Sequence, residues 1–311
     1  MEKVDLIIVG AGPAGLTAGI YAGRAKLDTV ILEKHAIGGL AATTDRIENY
    51  PGFPEGISGV ELAERLKKQV ESLGVRVIPS TEVIEFDVEE EVKKFVTTDK
   101  TYLGKAAIIA TGCEPIRLNV PGEATLRGRG VSYCAICDGP FFKGKDVVVV
   151  GAGSSGLQES LYLARFVNKV TIIEILPQPT GEKILQDRIK HTPNIELLTN
   201  HKVIAIEGDT KVEAVRVLNM VNNDEYIIKA DAVFVYMGLK PITEFLRGKV
   251  KLDAEGYIVT DENLQTSIPG VFGAGDVRRK VLRQIATAVG DGALAAYMAQ
   301  QYIEKIWNLS K

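Results

Sequence analysis

The sequence predicts an α/β fold of two Rossmann-like domains, each a three-layer ββα unit, with the second inserted into the first. Three observations carry this. Residues 4–33 and 146–174 repeat one pattern: apolar strand, glycine turn, small-residue helix, second strand, terminal acid. In both copies the first glycine and the acid are 23 positions apart, Gly10 to Glu33 and Gly151 to Glu174. Two Pro/Gly segments, Asn119-Val120-Pro121-Gly122 and Gly238-Leu239-Lys240-Pro241, bracket the second copy as crossovers out of the first domain and back into it.

The totals agree. A chain of 311 residues with 46% hydrophobic and 25% charged residues has a globular composition and room for two medium domains. A net charge of −3 without long Lys/Arg blocks excludes nucleic-acid binding. The apolar stretch 6–22 is broken by four glycines and a proline, unlike a secretory leader or a membrane span, so a cytoplasmic protein with no membrane association is expected. Three cysteines are too few for a secreted disulfide framework.

In chain order, strand 4–9 enters Gly10-Ala11-Gly12-Pro13-Ala14-Gly15. Glycines there allow a tight turn and close approach to a pyrophosphate, and the helix over 16–24 points its first amides at that anion. Strand 29–32 follows, and Glu33 is placed to accept ribose hydroxyls. Ile37-Gly38-Gly39-Leu40 and Glu48-Asn49-Tyr50-Pro51-Gly52 read as turns. Ser58-Gly59-Val60-Glu61 is a capping box, and Val60, Ala63, Leu66, Val70 and Leu73 line one face of a helix ending at Gly74. Strands are expected over 75–78, 83–88, 94–98 and 106–110, the last running into Thr111-Gly112-Cys113, with Cys113 a packed thiol.

The second copy comprises strand 146–150, the turn Gly151-Ala152-Gly153-Ser154-Ser155-Gly156, a helix over 155–166, strand 169–173 and Glu174, with 232–236 as a closing strand. A second nucleotide site is therefore expected. Near the end, a glycine-rich strand end carries Asp276, and Arg283-Gln284-Ile285 open a helix to about 306; Asp276 can bind a sugar-phosphate hydroxyl or cap a helix. Just before the second copy stands Cys134-Ala135-Ile136-Cys137-Asp138. Such a pair serves as a redox dithiol or as half a zinc site. His35, His191 and His201 are not at ligand spacing to it and a structural zinc takes four ligands, so the redox reading is preferred and no metal is expected.

Taken together, these motifs resemble the low-molecular-weight thioredoxin reductases, the class II FAD-containing pyridine nucleotide-disulfide oxidoreductases, over nearly the whole chain. The carrying residues are Gly10-Ala11-Gly12-Pro13-Ala14-Gly15, Glu48-Asn49-Tyr50-Pro51-Gly52-Phe53, Ala110-Thr111-Gly112, Cys134-Ala135-Ile136-Cys137-Asp138, and Gly275-Asp276 with Arg283-Gln284. The resemblance implies a discontinuous FAD-binding domain, 1–117 and 245–311, and a pyridine-nucleotide-binding domain, 118–244, carrying the dithiol. It implies FAD contacts at Gly10, Gly12, Pro13, Ala14, Gly15, Glu33, Lys34, Gly39, Leu40, Asn49, Val83, Ala110, Thr111, Gly112, Asp276, Arg283, Gln284 and Ile285. The nicotinamide dinucleotide is expected at Gly151, Gly153, Ser154, Ser155, Gly156 and Glu174. By the same resemblance Cys137 faces the flavin, Cys134 attacks thioredoxin or a thioredoxin-like protein, the inserted domain swings between two arrangements, and the protein is a homodimer. Asp138, next to the pair, is the candidate proton donor and acceptor.

One departure bears on the electron donor. Family members that use NADPH usually carry a basic His-Arg-Arg segment and a further Arg after the second strand of the inserted domain. This chain has Glu174-Ile175-Leu176-Pro177-Gln178-Pro179-Thr180. A carboxylate there repels a 2′-phosphate and can hold a free 2′-hydroxyl, so NADH is expected over NADPH. Relatives lacking the basic segment that take electrons from a deazaflavin or ferredoxin supply one alternative. A flavin-dependent dithiol oxidase using O₂ and a redox-responsive sensor are two more.

Overall fold

The computed structural model describes residues 1–89 and 91–307. Two compact units are formed, one from residues up to Glu114 together with those from Lys240 onward, the other from Pro115–Leu239. The turn at 119–122, expected from sequence as the outward crossover, lies inside the inserted unit. Glu123 accepts the amides of Leu118 and Asn119 at 2.8 and 2.6 Å, and the Pro121 carbonyl accepts the Ile206 amide at 2.9 Å. Its proline and glycine shape a packed turn, and the chain has already left the first unit at Glu114.

The first unit begins with β1 (Glu2–Val9), α1 (Pro13–Arg24), β2 (Thr29–Leu32), α2 (Gly59–Ser72), β3 (Arg76–Ile78), β4 (Val83–Glu89), β5 (Val92–Thr97) and β6 (Thr101–Ile109). The sheet runs β3-β2-β1-β6-β5-β4. The first three pairings are parallel, and the β6–β5–β4 end is antiparallel. β6 starts five residues before the apolar run 106–110 because its first part pairs with β5 and alternates between half-buried and buried positions. Only its second part, flanked on both sides by parallel strands, is continuously buried, and only that part has the apolar signature. Alternation along β1 makes the layers: Leu6 and Ile8 join the core with α1, whereas Ile7 and Val9 join Phe86, Phe95 and Tyr102. Each fully buried side chain of this size contributes about 1.5–3 kcal/mol. The Ser58 side chain accepts the Glu61 amide at 3.1 Å, capping α2.

After β7 (Cys113–Pro115), the inserted unit contains β8 (Val131–Ser132), α3 (Ala135–Asp138), β9 (Asp146–Val150), α4 (Ser154–Leu163), β10 (Lys169–Glu174) and α5 (Lys183–Lys190). It continues with β11 (Ile195–Thr199), β12 (His201–Glu207), β13 (Ala214–Asn219), β14 (Glu225–Lys229) and β15 (Ala232–Val235). A parallel sheet in the order β11-β10-β9-β15-β8 faces helices on one side and the antiparallel β12-β13-β14 sheet on the other. The ββα layering thus occurs twice: Val147 and Val149 pack with residues of α4 and α5, and Val148 and Val150 with Val203, Val215 and Val217. β11–β14 and α5 carry no clear sequence signal. β14, for example, is exposed at four of its five positions and owes its extended form to pairing with β13.

The chain returns through β16 (Leu239–Pro241), adds β17 (Val271–Gly273) parallel to β6, and finishes the described region with α6 (Ile285–Trp307). Among the described residues no helix is long and apolar enough to cross a membrane.

Lys93 on β5 is an unusual core member, 1% exposed. Its Nζ donates to the Glu91 carbonyl at 2.6 Å and to the Tyr302 hydroxyl of α6 at 3.1 Å. Burial brings its pKa down to about 8. Below that pH the lysine is charged in both folded and unfolded states. Between about 8 and the unfolded value near ~10.4 the unfolded chain binds the extra proton, so stability rises with pH in that window. Lys93→Met is expected to raise stability at neutral pH by roughly 1–3 kcal/mol and to flatten the rise. Urea midpoints at about pH 7 and pH 9.5 measure both effects, and parallel pH profiles for the two proteins would contradict this account.

Candidate functional site

In the first unit the turn after β1 does what its glycines require. Gly10 has φ +105°, and a side chain there would overlap the Ala110 carbonyl oxygen; one on Gly15 would overlap the Gly10 carbonyl. Gly12 differs, because a Cβ added to it would meet nothing within 4 Å. Space has been left above the start of α1, where Pro13 occupies the first turn and no side chain caps the helix. That open cradle at uncapped amides suits a pyrophosphate. Glu33, 8% exposed, accepts the Ala11 amide at 2.7 Å and the His35 amide at 2.8 Å, which fixes its carboxylate beside the turn.

Some of the other candidate flavin residues lie against this turn, and others contact one another or neighbouring segments. Gly39 approaches Gly12, Gly275 packs on Ala14, and the Ala110 amide donates to the Val9 carbonyl at 2.8 Å. Thr111 donates through its hydroxyl to the Ile242 carbonyl at 2.8 Å, and Gly112 takes φ +65°. Asn49 Nδ2 donates to Gln284 Oε1 at 3.1 Å, joining residues far apart in sequence. Ile285 packs beside Ile47, Ile57 and Leu62. Lys34 pairs with Glu82 at 2.7 Å, Val83 packs partly buried against the core of Phe86, Phe95 and Tyr102, and Leu40 is exposed.

Asp276 Oδ1 and Arg283 Nε are buried and have no hydrogen-bond partner among the described residues, as atoms awaiting a polar ligand would be. Burial raises the pKa of Asp276, against the opposing charges of Lys280 and Arg283. The Arg283 guanidinium lies over the Tyr257 ring, 4.0 Å from its centroid. Asp291 was invisible in the sequence because it sits inside a helical pattern. Its carboxylate accepts the Gly275 amide at 3.0 Å, Arg278 at 2.8 and 2.9 Å, and Lys280 at 2.9 Å. Burial alone would raise its pKa, but the hydrogen bonds from Arg278 and Lys280 hold it below the ordinary carboxylate range. Cys113 donates its thiol hydrogen to the Asp276 carbonyl at 3.2 Å, and burial pushes its pKa up to about 12, so it stays a thiol.

The inserted unit repeats the cradle. Gly151 has φ +103°, a side chain there would overlap the Tyr236 carbonyl oxygen, and one on Gly156 would overlap the Gly151 carbonyl. At Gly153 the nearest atom to an added Cβ is Thr180 Oγ1 at 3.9 Å, and α4 starts at Ser154 without a side-chain cap. The Ser154 hydroxyl accepts the Glu182 amide at 3.1 Å, while Ser155 lies exposed on the same turn. Glu174, 6% exposed, accepts the Ala152 amide at 2.6 Å and the Leu176 amide at 2.9 Å, the counterpart of Glu33.

Cys134 and Cys137 of the inserted unit are joined as a disulfide. Cys134 precedes α3, and its Sγ accepts the Cys137 amide at 3.2 Å. Asp138 Oδ2 accepts the Ser132 hydroxyl at 2.6 Å, and Ser132 Oγ in turn accepts the Cys134 amide at 3.1 Å. Ser132 therefore ties the Asp138 carboxylate to the backbone of the pair's first cysteine. Two residues before the first cysteine, it had only proximity to suggest it. Among the described residues no cluster of three or more His, Cys, Asp or Glu side chains could hold a metal ion.

Residues 4–292 match the family model described as pyridine nucleotide-disulphide oxidoreductase. The chain is 44% identical over 307 residues to a thioredoxin reductase of Listeria innocua, covering 98% of this chain and 96% of that protein. Among solved structures it is similar to the thioredoxin reductase of Lactococcus lactis in the FR conformation, with 38% identity, a TM-score of 0.95, and 97% and 100% of the two chains covered. The thioredoxin reductase of T. acidophilum is similar as well, with 40% identity, a TM-score of 0.93, and coverage of 98% and 100%.

Proposed function

The chain belongs to the pyridine nucleotide-disulphide oxidoreductase family and, within it, to the low-molecular-weight thioredoxin reductases; on that footing we propose that it reduces the disulfide of thioredoxin or a thioredoxin-like protein with electrons from NADH in preference to NADPH. The observation that carries the output of this reaction is the Cys134–Cys137 pair with a hydrogen-bonded acid at its flank. The Gly10–Gly15 turn, Glu33, Asp276 and Arg283 would hold FAD, which when bound would supply the two-electron relay from the nicotinamide to the disulfide. The protein's own groups do the rest.

Once the pair is reduced, Cys134 thiolate attacks one sulfur of the partner's disulfide and forms a mixed disulfide. The partner's departing thiolate takes a proton, for which Asp138 is the candidate donor. Cys137 then attacks Cys134, which releases the partner as a dithiol and restores the Cys134–Cys137 disulfide. The Cys137 amide directed at Cys134 Sγ favours negative charge on that sulfur, supporting Cys134 as the attacking thiol.

Glu174 supports NADH. Both of its oxygens are anchored by backbone amides, so its charge cannot swing away from a ribose seated on the turn. No Lys, Arg or His occurs from Ile175 to Glu182 to neutralise a 2′-phosphate. Steady-state kinetics with thioredoxin as acceptor are expected to give kcat/KM for NADH about tenfold or more above that for NADPH. A large advantage for NADPH would reverse the assignment. Failure of both nucleotides to bleach the flavin anaerobically would point to another electron donor.

A further inference from the structure

One buried polar contact of the inserted unit has no part in holding a nucleotide or closing the disulfide. The Ala135 amide donates to the Tyr236 hydroxyl at 3.0 Å. Ala135 opens α3 and is fully buried, so its amide is one that the helix itself leaves without an acceptor. Tyr236 follows β15, where its carbonyl occupies the space a Gly151 side chain would need. Its ring packs in the cluster containing Ala135, Leu157, Leu163 and Phe234. Burial, followed by the charge of Glu159, raises the pKa of the hydroxyl, which therefore keeps its proton.

α3 spans only Ala135–Asp138, with Ala135 buried at its start and Asp138 held by Ser132 at its end. The Asp138 amide reaches the Cys134 carbonyl at 3.2 Å and the Cys137 amide reaches Cys134 Sγ at 3.2 Å. Both bonds depend on where the first residue of the turn is fixed. We propose that Tyr236 is a positioning residue for the nucleophile: by holding the Ala135 amide, it keeps the Cys137 amide directed at the Cys134 sulfur and so favours the thiolate when the disulfide is opened. This rests on the reading of Cys134 as the attacking thiol. The ionisable groups that bear on this corner are Asp138, on α3 itself, and Glu159 on α4. When ionised, both oppose a nearby thiolate, which leaves the amide as the stabilising partner.

Tyr236→Phe removes the acceptor and keeps the ring and the carbonyl that packs on Gly151. The FAD-loaded protein is reduced with dithiothreitol, freed of excess reductant and alkylated with iodoacetamide from about pH 5 to pH 10, and the labelled cysteine is identified by mass spectrometry. Label is expected on Cys134 in both proteins, with its apparent pKa about one unit higher in Tyr236→Phe, a roughly tenfold loss of thiolate at a fixed pH below both values. An unchanged profile with Cys134 labelled overturns the proposal. Label on Cys137 instead overturns the reading of Cys134 as nucleophile and the proposal with it. A measurement on the unaltered protein tests the same point without a variant: the Ala135 amide is expected to exchange slowly with deuterium, and fast exchange overturns the proposal.

Discussion

Cys134→Ser is expected to give a flavoprotein that NADH still bleaches and that reduces no protein disulfide. Serine has nearly the shape of cysteine, so the turn of α3 and the Ser132–Asp138 contact should persist. A hydroxyl, however, neither ionises near neutral pH nor forms a disulfide with Cys137. Removal of a covalent nucleophile costs at least about three orders of magnitude in turnover. Cys137→Ser separates the two roles. It keeps the attacking thiol and loses the resolving one, so a mixed disulfide with thioredoxin should accumulate and be visible by non-reducing electrophoresis. Turnover of Cys134→Ser within tenfold of the unaltered protein would remove the pair from the output path.

Gly12→Val should yield a folded protein without flavin. The backbone at Gly12 is extended, φ −77° and ψ −174°, which valine adopts without strain, and a Cβ there meets no atom within 4 Å. The added methyl groups would stand in the space left for the pyrophosphate above the uncapped amides of α1. FAD affinity is therefore expected to fall by about two orders of magnitude or more, read as lost absorbance near ~450 nm, with far-ultraviolet circular dichroism retained. Gly10→Val is the contrasting case, because its side chain would overlap the Ala110 carbonyl at a positive φ and disturb the β1–β6 junction itself. A Gly12→Val protein that keeps its flavin would move the cofactor off this turn.

The two cradles are legible in the sequence because a pyrophosphate turn imposes local conditions: glycine where φ is positive, glycine where space is needed, and an acid at the end of the next strand. The capping box at Ser58 is legible for the same reason, since it is satisfied within a few residues. Signals fade where the stabilising partner is remote. β12–β14 carry mixed exposure and are strands because they pair with one another. The Pro/Gly turn at 119–122 has the composition of a linker, yet Glu123 and Ile206 hold it inside the inserted unit.

Neighbouring residues alone dictate that this protein has two glycine turns, each followed by a strand ending in an acid, and a Cys-x-x-Cys pair, because each is a short-range arrangement. What surrounds them is set by the folded chain. Asp291 under the Gly275–Asp276 turn, Ser132 on Asp138, and the Tyr236 hydroxyl on the Ala135 amide join groups on different elements. Burial is the cause: a buried amide or carboxylate must find a partner, and which side chain comes within hydrogen-bond reach follows from the packing of sheets and helices rather than from spacing along the chain.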